Sequence, residues 1–302
     1  MPRVGLATCA QWPQLPADDC LLLAALRRRG AGATAVVWDD PAVCWADFHC
    51  VVIRSCWDHH HRPAEFLAWL LTLEEAGVAV WNPPSLVRSH LHKGYLRDLE
   101  AAGFPIMPTV WLQRGSHAGL ARLLEDRSWG QAVIKPAISA SAFRTRLVSS
   151  RTAAAEQPAF DNLLAGSDVM VQRFAPEIRS RGEWSLIFIA GAFSHAILKR
   201  PAPGDFRVQQ ALGGSVSRGT PSASLLAAAR AIAAAIPEPW LYARVDGLEI
   251  DGIFTLMELE LIEPVLFLAH EPRAAARCAE AVLAFHLELD SSHATRRIHP
   301  LG

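Results

Sequence analysis

The chain lacks a strong net charge, a membrane-length apolar run and any close pair of cysteines. Its 302 residues carry a formal net charge of -1, so nothing global points to nucleic acid or an anionic membrane as partner. A local basic site is still allowed. The nearest approach to a bilayer span, "SLLAAARAIAAAIPEPW", is interrupted by Arg230 and ended by Pro237. The opening "MPRVGLATCA" reads as a strand and has no signal-peptide pattern, so a cytoplasmic location is expected. Cys9, Cys20, Cys44, Cys50, Cys56 and Cys278 form no CxxC pair and read as reduced, mostly buried thiols. GxxxxGK[ST] is absent, which excludes a P-loop, and no GxGxxG follows the first strand. No internal repeat or low-complexity linker occurs. His59, His60 and His61 are consecutive, and consecutive side chains diverge on strand or helix, which disfavours a metal site there.

What is present is 51% hydrophobic and 20% charged, a globular composition long enough for more than one domain. Residues 4–8, 33–40, 48–58 and 78–84 read as strands, and 16–30 and 62–77 as helices. That order predicts an open, mostly parallel sheet with helices on its faces, and a ligand at the carboxyl ends of its strands. Residues 89–103, 119–128, 222–236 and 271–289 read as further helices. Residues 131–136 and 168–178 begin as strands, and 137–146 is a loop between them. Hairpins are expected at 183–201, turning at Ala190-Gly191, and at 241–264, turning near Asp251-Gly252.

The second hairpin carries "MELELIEP". Glu258 and Glu260 alternate onto one face, and Asp246 could lie opposite on the partner strand. Carboxylates set among Met, Leu, Ile and Pro need pairing or a cation. Mg²⁺ prefers oxygen ligands and usually joins carboxylates to substrate phosphates. Phosphates in turn need basic groups and free backbone N–H groups. Lys135 in "VIKP", Lys93 in "HKGYLRDLE", read as early in a helix, and the small-residue loop "SASAF" supply them. The competing reading is an acidic strand facing solvent with surface lysines.

The motifs "LHKGYL", "VIKPAISASAFRT", "VMVQRFAPEI", "GEWSLIFIAG", "GDFRVQ", "GG" and "ARVDG…MELELIEP" occur in that order between about residues 82 and 288. The set resembles the ATP-grasp superfamily, its glutathione-synthetase-like branch. The resemblance implies an α/β (α+β) fold, with an N-terminal open parallel sheet domain and two α+β subdomains clasping ATP. It implies a substrate domain at 1–88, a lid subdomain at 89–170, a Mg²⁺-binding subdomain at 171–290 and a tail at 291–302. Lys93 and Lys135 would contact ATP phosphates, with Ser139, Ser141 and the loop to Phe143 covering them. Gln172, Arg173 and Phe174 would read the adenine edge, and Glu183 would bind ribose. Asp246, Glu258 and Glu260 would hold Mg²⁺. Arg207 would face the transferred phosphoryl group, and the backbone at Gly213-Gly214 would steady the tetrahedral centre, making Arg207, Lys135 and Gly214 the catalytic set. The chain departs from the pattern in three places. Its phosphate loop lacks glycine, Trp184 and Ser185 follow the ribose acid where many members have Arg, and Glu260 stands where many have Asn.

Enzymes of this branch phosphorylate a carboxylate and let nitrogen attack the acyl phosphate. An amino-acid-like small molecule is the implied substrate; Arg54, Ser55, Trp57 and Asp58 are expected near the cleft to bind it, with Arg54 gripping its carboxylate in bidentate fashion and Glu263 receiving an amino group. "RS.WD…FL.WL", "WNPP.LV" and "ELELIEP.LFL" look closest to the D-cycloserine synthetase subgroup of antibiotic biosynthesis, whose substrate, O-ureido-D-serine, closes on its own nitrogen. A ligase joining two molecules, and a catalytically inactive nucleotide-binding protein, are the alternatives. The sequence leaves a homo-oligomer open.

Overall fold

A computed structural model describes the backbone of residues 1–297 and the side chains of residues 1–285. Three sheets organise the chain. The first contains β1 (Arg3–Thr8), β2 (Gly32–Val37), β3 (Cys50–Ser55) and β4 (Ala79–Trp81), all parallel, in the order β2-β1-β3-β4. Helices α1 (Ala17–Arg28) and α2 (Pro63–Glu75) connect its strands. β3 is buried at every position, as its unbroken apolar run requires of a strand covered on both faces. The chain moves outward from β1 in both directions, so the crevice beyond β1 and β3 is the switch point where open α/β sheets bind ligands.

Next come α3 (Pro84–Leu91) and α4 (Tyr95–Ala101). The sequence reads residues 89–103 as one helix, but the structure breaks it after Leu91. His92 is extended, and Lys93 donates its backbone N–H to the Ala137 carbonyl at 2.9 Å. A tertiary hydrogen bond thus overrides local helix propensity and turns Lys93 inward. The second sheet has the order β5-β8-β6-β7 and is antiparallel. It comprises β5 (Thr109–Leu112), β6 (Gln131–Pro136), β7 (Arg146–Ser149) and β8 (Val169–Arg173). Helices α5 (Leu120–Asp126) and α6 (Ala153–Gly166) back it, and α6, which carries Pro158 inside it, adds to the helices expected from sequence. The expected division at residue 170 falls inside β8.

After the short α7 (Glu177–Ser180), the third sheet runs β11-β10-β9-β12-β13 with antiparallel pairing. Its strands are β9 (Glu183–Ile189), β10 (Ala192–Arg200), β11 (Ser215–Gly219), β12 (Tyr242–Ile250) and β13 (Ile253–Glu260), with α8 (Ala223–Ala234) packed against it. Both hairpin turns fall where expected: Ala190 and Gly191, then Asp251 and Gly252, all have positive φ, the pairing that matches strand twist. The last helix, α9 (Ala274–Arg297), continues past residue 289 into the expected tail, whose residues 298–302 lie outside those described.

The first and third sheets share a core of α1, α9 and the ends of β9 and β12. Polar clamps fix the join. Asn82 donates to the carbonyls of Tyr242 (2.8 Å) and Leu261 (2.7 Å) and accepts from the Leu241 N–H (2.7 Å), all buried.

Candidate active site

The three sheets meet around one cavity of about 600 Å³, within the range of ligand sites. The crevice of the first sheet gives it Trp12, Trp57 and His59, beyond strands tied together by Thr8 Oγ1 and Ser55 Oγ at 2.9 Å. The second sheet gives Lys135, the loop after it and Gln172 to Phe174. The third gives Asp246, Glu258, Glu260 and Glu263, and the α3–α4 break gives Lys93.

The register of β12 and β13 sets Asp246 directly opposite Glu258 and Arg244 opposite Glu260, so all four share one face. Cations are threaded between the acids. Lys93 Nζ lies 2.9 Å from Glu258 Oε1, and Lys199 Nζ lies 3.1 Å from Asp246 Oδ2 and pairs with Glu183. Arg244 pairs with Asp246 at 2.9 Å and with Glu260. Burial alone would push the Asp246 carboxyl up, but Arg244 and Lys199 outweigh it and bring it to about 2. Glu258 is likewise held below its ordinary value by Lys93 and Lys135 against the opposing effect of burial. Glu260 goes the other way, to about 8, because burial and repulsion from Glu258 and Asp246 exceed the help from Arg244.

The Lys135 side chain makes no hydrogen bond and no close ion pair among the described residues, although it lines the cavity, and burial lowers its pKa against the weaker pull of Glu258. A desolvated ammonium with its hydrogen-bond donors free suits an anionic phosphate. Glu258 and Glu260 crowd one face at a cost recorded in the raised Glu260. Mg²⁺ commonly uses one or two carboxylates together with substrate phosphates, so this donor set fits it. The expected trio is corrected in one respect. Asp246 is saturated by Arg244, Lys199 and the Ser185 hydroxyl at 2.6 Å. Among the described residues no group of three or more His, Cys, Asp or Glu side chains is arranged to hold a metal. Asp246 joins a metal only by releasing a cation.

The loop after β6 bears out its departure from glycine in an unexpected way. Ser141, Ala142 and Arg144 all adopt positive φ, a region that costs non-glycine residues roughly 1–2 kcal/mol each. Phe143 at the centre packs edge-on to His60 and His61, with ring centroids at 5.1 and 4.7 Å, and so offsets that strain. This gives the His59–His61 run a contact that its sequence did not suggest.

Ser139, Ser141, Gln172, Arg173, Phe174, Glu183, Arg207 and Glu263 all line the cavity. Arg207 is held two-pronged by Asp205, and the Gln172 amide is bonded to Thr109. Four expectations fail. Arg54 is 1% exposed and pairs with Asp19 at 2.9 Å and the Pro264 carbonyl at 2.7 Å, stacked on Tyr242, so it is an interior joint and no substrate clamp. Ser55 is fully buried against Thr8. Asp58 is taken by Trp38 Nε1 and Arg62, outside the cavity. Gly214 donates its N–H to the Gln209 carbonyl at 3.1 Å, leaving nothing to steady a tetrahedral centre. Its glycine identity serves packing, since a Cβ there would lie 2.2 Å from the Val208 carbonyl oxygen. Sequence reasoning also passed over Lys199, Arg244 and Trp12, and weighed His59 only as a metal ligand. Arg244 was detectable, because it sits two residues before Asp246 on the same strand.

A family model described as D-cycloserine synthetase DcsG, N-terminal domain, matches residues 4–82. The cycloserine biosynthesis protein DcsG of Streptomyces lavendulae is 33% identical over 92% of this chain and 97% of its own length. A crystal structure of D-cycloserine synthetase DcsG superposes with a TM-score of 0.85 at 30% identity, covering 94% of this chain and 99% of that one. A D-alanine–D-alanine ligase from Bacillus anthracis shares the fold, with a TM-score of 0.70 at 14% identity over 97% and 100% of the two chains.

Proposed function

Because this chain belongs to the D-cycloserine synthetase family of ATP-grasp ligases, we propose that it closes O-ureido-D-serine to D-cycloserine at the cavity between its three sheets. The supporting observation is the gathering of Lys93, Lys135, Glu258 and Glu260 around one cavity that also reaches the crevice of the first sheet. Mg²⁺-ATP, when bound, supplies the phosphoryl group that activates the carboxylate. Lys135 and Lys93 bind the phosphates, and the loop from Ser139 to Phe143 covers them and excludes water. Glu258 and Glu260 hold the metal. Gln172 to Phe174 take the base, Glu183 the ribose, and Arg207 steadies the transferred group. Glu263 receives the substrate amino group. Residues 1–88 act as the substrate domain, and the lid subdomain extends through β8.

The substrate carboxylate takes the terminal phosphoryl group and ADP departs. The nitrogen bonded to oxygen then attacks the acyl carbon, phosphate leaves, and that nitrogen loses its proton. One water removes the carbamoyl group as carbon dioxide and ammonia. Phosphoryl transfer asks for positioning and charge neutralisation more than for a nucleophilic side chain, which agrees with a cavity lined by cations and carboxylates.

ADP release from purified protein with Mg²⁺-ATP, with and without O-ureido-D-serine, tests this, with mass spectrometry of the product. Substrate-dependent ADP and a product of cycloserine mass are expected. ADP only with pairs of amino acids would replace ring closure by ligation of two molecules.

A further inference from the structure

Six lysine and arginine side chains line the cavity, and four are already committed. Lys93 is paired with Glu258, Lys199 with Glu183 and Asp246, Arg244 with Asp246 and Glu260, and Arg207 with Asp205. Among the described residues, Lys135 and the more exposed Arg173 are left for an anion. On the acidic side, Glu263 is left with a single partner for its carboxylate among the described residues, His59.

That contact is built. His59 is 4% exposed, and its Nδ1 lies 2.9 Å from the Cys56 carbonyl. A carbonyl only accepts, so Nδ1 bears the proton. The same Nδ1 stands 3.4 Å from Glu263 Oε1. Trp57 donates its ring N–H to the Glu263 main-chain carbonyl at 3.1 Å. The turn after β3 therefore grips both the backbone and the carboxylate of a residue that follows β13. Trp12 packs edge-on to Trp57 at 6.1 Å and lines the same end of the cavity. Glu263, with 11% of its side chain exposed, lines a space with aromatic rings, one carboxylate oxygen lying against the His59 ring edge at 3.4 Å and neither oxygen hydrogen-bonded among the described residues. Such a carboxylate is completed by an ammonium and is left short by a neutral hydroxyl.

We propose that His59 is a positioning residue for Glu263, and that the pair sets this enzyme's requirement for a cationic amino group, rather than a hydroxyl, beside the carboxylate to be activated. The proposal rests on the function given above and adds its basis for selecting substrate. His59 orients the receptor and does not meet the reacting atoms.

Two readouts test it. Steady-state ADP release gives KM for O-ureido-D-serine and for ATP in the wild type, His59→Ala and His59→Asn. His59→Ala is expected to raise KM for the amino substrate by about 10- to 100-fold with KM for ATP unchanged. His59→Asn, whose amide N–H replaces the Nδ1 donor, is expected to recover most of that loss. Separately, calorimetry with D-alanine and D-lactate reads the amine preference without turnover. The wild type should favour D-alanine, and Glu263→Gln should bind the two equally. Unchanged KM and unchanged preference in His59→Ala would overturn the proposal, as would wild type that fails to distinguish D-alanine from D-lactate. A wild type that prefers D-alanine yet releases no ADP with O-ureido-D-serine would instead count against the substrate reading alone.

Discussion

Lys93 Nζ lies 2.9 Å from Glu258 Oε1, which pairs the ammonium proposed for phosphate with a carboxylate proposed for the metal. Each neutralises the other at a site where either alone would be costly. Mg²⁺ and a phosphate, when bound, would let Lys93 turn to the phosphate and Glu258 to the metal. Lys135 has no such exchange to make.

Lys135→Met should therefore weaken nucleotide use more simply than Lys93→Met. A charge-assisted hydrogen bond is worth about 1.5–3 kcal/mol, so kcat/KM for ATP should fall roughly 10- to 150-fold in Lys135→Met with thermal stability retained. Lys93→Met should lose comparable activity and also stability, because Glu258 is stranded. Thermal melts beside ADP assays separate the two. Equal melting temperatures for both variants would contradict the pairing.

Asp246 carries a pH prediction. Its folded pKa is about 2, depressed from 3.8 by Arg244 and Lys199 in spite of burial. Its stabilisation is complete above pH 3.8 and is lost as pH falls through 2. Urea unfolding measured along that window should show a steeper acid-side decline in the wild type than in Asp246→Asn.

Arg54 should prove structural. Arg54→Met leaves Asp19 buried without its charge partner, a loss of about 3–5 kcal/mol by urea or thermal unfolding. At temperatures where the variant is folded, KM for substrate should be unchanged. A raised KM without loss of stability would return Arg54 to the substrate site.

The loop over the cavity is strained and braced. Phe143→Ala removes its contact with His60 and His61, so KM for ATP should rise several-fold and the 139–145 segment should be cut faster by protease. Adding Ala142→Gly relieves the left-handed backbone but loosens the loop further. Proteolysis rates and ATP kinetics on the same variants check both effects.

The sequence by itself determined the parallel sheet, both hairpins and their turns, and the alternation that sets Glu258 beside Glu260. These follow from periods of two and 3.6 and from turn residues, which are local. It also carried the ordered motifs from which the family was legible. Tertiary structure decided the rest. The helix expected over 89–103 breaks because a hydrogen bond to Ala137, distant in sequence, outbids local propensity. Arg54 and Asp58 sit at the carboxyl end of a strand, as such residues in a binding crevice would, yet their charges are taken by Asp19 and Arg62. Gly214 follows another glycine, as a backbone aimed at a reacting centre would, yet its N–H is spent on the Gln209 carbonyl. His59 meets Glu263 across 204 residues of chain, since 263 - 59 = 204. Alternation and turn chemistry are written in neighbouring residues. Which charge neutralises which depends on what the folded sheets bring within a few ångströms, and no local pattern encodes that.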